Sequence, residues 1–168
     1  MWLPFFVLPM PVWAEMAYSA LTYFLANAYP TFFHAKWGRT VGKMMVRIRV
    51  VQTDGTAIGW REALLRSSVD LAIAAIVLTS ELVFLSGVDP TVWPRLSLEG
   101  QAAIREKSAL AAFDNVMMNV EIAWTFSEVL VMLTNKRRRA LHDFIAGTVV
   151  IRHREAVAAI PSTPPALA

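Results

Sequence analysis

Five carboxylates lie inside stretches that are otherwise apolar, and they are the side chains of this chain best placed to do chemistry. Asp70 and Glu81 fall within residues 64–86, and Asp114, Glu121 and Glu128 within residues 110–134. At about 100° per residue of an α-helix, Asp114, Met118, Glu121, Thr125 and Glu128 lie within roughly 80° of one another. Asp70 and Glu81, eleven residues apart, share a face with Arg66 and Val77. Ionisable groups inside a bilayer are costly and commonly line ion or proton paths. One reading is therefore a cation- or proton-binding track between two helices. The other is interhelical polar contact, in which protonated carboxyls donate hydrogen bonds that tie helices together or face a partner subunit. Arg66 and Asp70, four residues apart, are expected to pair near one interface, with Arg66 able to snorkel. The other acids find no basic partner within the spans, and Glu15 adds a sixth carboxylate at the end of the first span.

Other candidate chemistry falls away on spacing. Gly38-Arg39-Thr40-Val41-Gly42-Lys43-Met44 has the outline of a phosphate loop. Three residues separate its glycines where four are needed, and Met44 stands where Ser or Thr would hold magnesium. His142 and Asp143 are adjacent, so they point in different directions on a helix, and His34 and His153 show no ligand spacing. Asp143 is expected to pair with a nearby Arg or to cap a helix. The chain has no cysteine, hence no disulfide, thiolate metal site or thiol nucleophile. With no serine elbow, Cys/His pair or zinc motif, neither an enzyme nor a metal, cofactor or nucleotide site is expected.

The elements that must position these residues are membrane helices. The chain is 56% hydrophobic and 17% charged, with a mean hydropathy of +0.46. Its cations are not spread over a polar surface, as nucleic-acid binding would need. Residues 34–66 hold seven Lys/Arg and 136–154 hold six, whereas 87–108 hold three diluted by Asp89, Glu99 and Glu106. Retention of Lys and Arg in the cytoplasm puts the first two segments inside and 87–108 outside. About 20 residues cross a hydrocarbon core, which predicts three spans, near 12–33, 64–86 and 110–134. The N-terminus is then outside and the C-terminus inside. Pro4, Pro9 and Pro11 argue against a continuous helix over 1–11, placing that segment in the outer interface. Residues 1–33 lack Lys and Arg, which argues against a cleaved signal peptide despite Ala26-Asn27-Ala28. The third span is strained on paper: three ionised central acids cost roughly 7–10 kcal/mol against about 5 kcal/mol from its apolar side chains. It must pack its acids against protein, water or a partner, or else lie half-buried as an amphipathic helix.

Between the first two spans, Val46, Ile48 and Val50 alternate with Arg47, Arg49 and Val51, the period of a half-exposed strand. Asp54-Gly55 supplies a turn, and Val149-Val150-Ile151 is the natural partner strand. Lys136, Arg137, Arg138 and Arg139 follow the last span and are expected to meet anionic lipid headgroups, at about 1 kcal/mol each.

Two blocks, Trp37-Gly38-Arg39-Thr40-Val41-Gly42-Lys43 and Arg139-Ala140-Leu141-His142-Asp143-Phe144-Ile145-Ala146-Gly147-Thr148, resemble the RDD family of small bacterial membrane proteins, named for one arginine and two aspartates. The likeness covers roughly residues 13–152. The motif positions it carries over are Gly38, Thr40, Gly42, Lys43, Leu141, His142, Asp143, Gly147 and Thr148, with Asp143 matching the second aspartate. The family's arginine and first aspartate sit in a preceding helix with no counterpart in residues 1–33, so either a shortened member or a start codon set too late is expected. The resemblance implies a membrane fold and a suggested role in transport.

The expected fold is an all-α integral membrane helix bundle of about three transmembrane helices with a small cytoplasmic two-stranded β element. Residues 1–154 form one RDD-like domain, and 155–168 a disordered Ala/Pro-rich tail. The expected function is that of a non-catalytic accessory or structural subunit. It packs against a larger complex in the bacterial inner membrane, with anionic lipid and other membrane subunits as partners and no nucleic acid. The alternative is a component of a cation or proton transporter.

Overall fold

The computed structural model describes residues 10–152. The expectations for residues 1–9 of the outer-interface segment 1–11 and for the tail 155–168 lie outside the described residues. Three long helices dominate: α1 (Val12–Trp37), α3 (Trp60–Ser86) and α5 (Ala111–Thr134). Short helices α2 (Val41–Met45), α4 (Leu98–Glu106) and α6 (Leu141–Ala146) and strands β1 (Ile48–Gln52) and β2 (Thr148–Arg152) complete the chain. At ~1.5 Å per residue the long helices run roughly 36–40 Å, enough to cross a core of about 30 Å. Two of them, α3 and α5, are also apolar enough to span a membrane. None of the α5 residues is buried within the chain, and Phe126 and Leu133 are each 70% exposed. An apolar helix with its side chains turned outward is arranged for lipid or protein rather than for water.

The chain divides into two compact units, Met1–Asn27 with Asp70–Trp124, and Ala28–Val69 with Thr125–Ala168. The first has a core of Val12, Phe84, Leu85 and Trp93, packed round by Met16, Val88, Leu96 and Leu110. Here the 87–108 connection folds into a 3₁₀ turn, Trp93–Arg95, and then α4. Ser97 starts α4 by accepting the Gly100 amide at 3.2 Å, which is what an N-cap serine does for the orphan amides of a first turn.

The second unit holds the sheet. β1 and β2 pair antiparallel with Val50 opposite Val150 and Ile48 opposite Arg152. The pairing expected from the alternation at 48–51 and the β-branched run at 149–151 is therefore present. The turn at Asp54-Gly55 is present too. Gly55 takes φ +90°, and Asp54 Oδ1 accepts from the Thr56 amide and hydroxyl at 2.9 and 2.7 Å. Val46, expected in the strand, instead caps the short helix α2, and the chain enters β1 through Arg47 at φ +56°. α1 runs to Trp37, four residues past the expected end, and stops at Gly38. Gly38 adopts φ +66°, donates its amide to His34 O at 2.8 Å and accepts from the Val50 amide at 2.8 Å. A Cβ there would stand 2.9 Å from Val50 O. Only glycine meets both the left-handed turn and the close strand approach.

Candidate functional site

In the second unit, residues of the second sequence block converge on one buried cation. Arg66, near the start of α3, is 5% exposed. Its guanidinium is ion-paired to Asp143 and donates to Thr148 Oγ1 at 2.7 Å and to His142 Nε2 at 2.8 Å. Asp143, 2% exposed, also accepts from Thr148 Oγ1 at 3.0 Å and, through Oδ2, from the Ala140 amide at 3.0 Å, capping α6. The helix cap expected for Asp143 is present, and its arginine partner is the distant Arg66 rather than a nearby Arg. Burial works to raise its carboxyl, but Arg66 and the Ala140 amide outweigh that and hold it below the ordinary carboxylate range.

The tautomer of His142 follows from its neighbours. A guanidinium only donates, so Nε2 must accept, and the ring proton sits on Nδ1. Nδ1 faces the Glu128 carboxylate at 2.5 and 2.6 Å, and Glu128 also takes the His142 amide at 3.0 Å. Beside this chain of contacts, Lys43 Nζ lies 2.9 Å from His34 Nε2, and Thr31 donates to Ser67 Oγ at 2.8 Å. Burial, then Arg66, push the Lys43 ammonium down to about 8, with Asp143 opposing. Arg139 does not project freely: it donates to Thr148 O and Asp143 O, both at 2.9 Å, and lies 4.2 Å over the Phe144 ring. Lys136, Arg137 and Arg138 are exposed.

The expected pairing of Arg66 with Asp70 is therefore corrected. Asp143 gives Arg66 a buried, charge-assisted acceptor with Thr148 beside it, while Asp70 accepts from Trp124 Nε1 at 2.8 Å. The remaining motif positions shape this unit. Gly38 ends α1, Thr40 and Gly42 flank and enter α2, Leu141 opens α6, and Gly147 closes it at φ +66°.

A second cluster lies in the first unit. Arg105 of α4 is ion-paired to Glu81 of α3 and, at 3.0 Å, to Asp114 of α5, and it stacks 4.7 Å above the Phe84 ring. Ser80 donates to Asp114 Oδ1 at 2.8 Å. As expected, Glu81 and Asp114 find no basic partner within the spans. The partner comes from outside the spans, on a short helix that sequence periodicity did not reveal. A cavity of roughly 230 Å³ is lined by Tyr23, Glu81, Arg105, Asp114 and Glu121 among others. Among the described residues Glu121 has no hydrogen bond or ion pair. Glu15 accepts from Trp93 Nε1 at 2.5 Å. Of the five in-span carboxylates, the structure gathers Glu81, Asp114 and Glu121 around one cavity and holds Asp70 and Glu128 on other donors.

Sequence reasoning missed His34, the Arg66–Asp143 pair and the role of Arg105. Arg66 is the only Lys or Arg between residues 62 and 94. A lone cation entering an apolar helix was the available signal; its partner 77 residues away left none.

Apolar, outward-turned helices carrying internal ion pairs define a membrane-protein architecture. Residues 1–147 match the model of the RDD family, and the chain belongs to that family. No curated protein and no solved structure matches it.

Proposed function

We propose that the protein is a non-catalytic, structural subunit of a bacterial cytoplasmic membrane, crossing it three times through α1, α3 and α5 with its C-terminus inside. The observation that carries this reading is that the chain's own donors meet four of its five in-span carboxylates: Arg105 for Glu81 and Asp114, His142 for Glu128 and Trp124 for Asp70. Groups tied in this way fasten helices to one another and are poor stations for a moving ion. The topology has independent support. β1 and β2 are hydrogen-bonded to each other, so the two Lys/Arg-rich segments share a side of the membrane, with α3 and α5 making the out-and-back crossing between them. Exposed Lys136, Arg137 and Arg138 suit the inner leaflet's anionic headgroups.

Co-purification in mild detergent tests this. A stoichiometric, larger membrane partner is expected; a chain that purifies with no other protein and moves cations in vesicles refutes it. A second reading, cation or proton movement, rests on Glu121 and its cavity. Glu121→Gln in reconstituted vesicles would abolish flux under that reading and leave folding intact.

A further inference from the structure

The outward face of α5 carries a regular stripe. Asn115, Asn119, Ile122, Phe126, Val129 and Leu133 follow one another at spacings of four and three, and all six are exposed. A repeat averaging 3.5 residues keeps one seam of a helix turned toward a partner over its whole length. The stripe is not uniformly apolar. Asn119 lies about 12 Å along the helix from its start, within the reach of hydrocarbon, and donates only to its own helix, at Asn115 O, 2.7 Å away. Its acceptor oxygen has no donor among the described residues. Lipid tails offer none, and side-chain amides at such positions join helices by hydrogen bonds across the interface.

From these features we infer that this stripe docks against the same stripe of a second copy of the chain. Two copies share one orientation in the membrane, so a two-fold axis along its normal sets each residue against its own counterpart. Asn is the side chain suited to that meeting, because its amide both donates and accepts and so satisfies itself across the axis. A like-charged residue would repel its copy, and no charged residue stands on the stripe. Ile122, Phe126, Val129 and Leu133, between 45% and 70% exposed, supply the interdigitating apolar part. The inference does not depend on which functional reading holds, since a structural subunit and a transporter can both be dimers.

The absence of native cysteine makes the test direct. Single cysteines are placed at Ile122 or Phe126 on the seam, and at Val116 or Val120 on the exposed flank, in full-length protein in its native membrane. Oxidation should give disulfide-linked homodimers several-fold more readily at the two seam positions than at the two flank positions. In the Phe126→Cys background, Asn119→Leu should reduce the yield several-fold, and Asn119→Gln, which keeps the amide, should retain more of it. Equal yields at all four positions, adducts only with a different protein, or no adduct from any position would overturn the proposal. The first four variants keep Asn119, so the result does not hang on the stability of the Asn119 substitutions.

Discussion

Replacing Asp143 by Asn should damage this protein more than replacing Arg66 by Met, although each change breaks the same ion pair. The two residues are 2% and 5% exposed, so the screening that makes surface pairs nearly worthless does not apply. Removing one partner of a buried pair costs about 3–5 kcal/mol, because the other charge is left uncompensated. The asymmetry comes from what each orphan can do. Without Arg66, the Asp143 carboxyl still accepts from Thr148 and the Ala140 amide, and it can shed its charge by taking a proton. Without Asp143, the guanidinium still cannot lose its proton. The new Asn amide would also point a donor at either Arg66 or the Ala140 N–H. Six tryptophans make thermal unfolding in detergent readable by fluorescence. For a chain of this size, Asp143→Asn should lower the melting temperature by roughly 6–20 °C, with Arg66→Met at the lower end of that range. The double variant Arg66→Met/Asp143→Leu should recover part of the loss, as hydrophobic replacement of buried pairs often does. A cost under about 1 kcal/mol for Asp143→Asn would show that the pair is effectively solvated, and equal costs for both single variants would refute the proton argument.

Gly38→Ala should be destabilising out of proportion to one methyl group, by about 1–3 kcal/mol, because it meets both a positive φ and the Val50 carbonyl; the same change at Gly42, where a Cβ meets nothing, is the control in a melting experiment. Lys43, held near 8 when folded against 10.5 when unfolded, binds fewer protons folded than unfolded between those values, so its burial penalises the native state below pH 8 and that penalty fades as pH rises toward 10.5. Wild type should therefore gain stability relative to Lys43→Met as pH goes from 8 to 10, and a difference flat across that window would disprove the burial. A cysteine at exposed Glu99 should react with an impermeant thiol reagent on intact cells, and one at Arg137 only after the membrane is opened; the reverse pattern would invert the topology.

How much was legible in the sequence depended on whether a feature was local. The long helices, the alternation at 46–51 and the turn at Asp54-Gly55 are written in consecutive residues; the turn falls where the pattern put it, while the strand starts at Ile48 rather than Val46 and α1 runs on to Trp37. The strand pairing was also readable, since Val149-Val150-Ile151 was the only comparable β-branched run near the other cation block. The ion pairs were not, because Arg66 with Asp143 and Arg105 with Glu81 join residues 77 and 24 apart. Spacing within one helix suggested Arg66 with Asp70, a contact of small value on an exposed helix surface. The fold instead offered a desolvated carboxylate with a second acceptor beside it, and that arrangement won. Arg105 was hidden differently: its segment carries the mixed charge of an external loop, and the Ser97 cap that folds it into α4 is a short-range signal read only as connection.

The same pairs resolve the energetic difficulty of α5. With three ionised acids in its span, the helix would have been unfavourable by several kcal/mol on an insertion scale of about 2.5–3.5 kcal/mol per acidic residue. Asp114, however, lies in the first turn and is taken up by Arg105 and Ser80, and Glu128 is taken up by His142. One carboxylate, Glu121, then bears the full cost of about 3 kcal/mol, against about 5 kcal/mol from the apolar side chains of the helix. The balance turns in favour of insertion by roughly 2 kcal/mol, and it does so only while both basic partners are in place. Arg105→Met and His142→Leu together should therefore return α5 to the unfavourable side. Membrane extraction of the double variant by alkaline carbonate measures this. Retention equal to the wild type would mean that the acids never carried the charge that makes the pairs necessary.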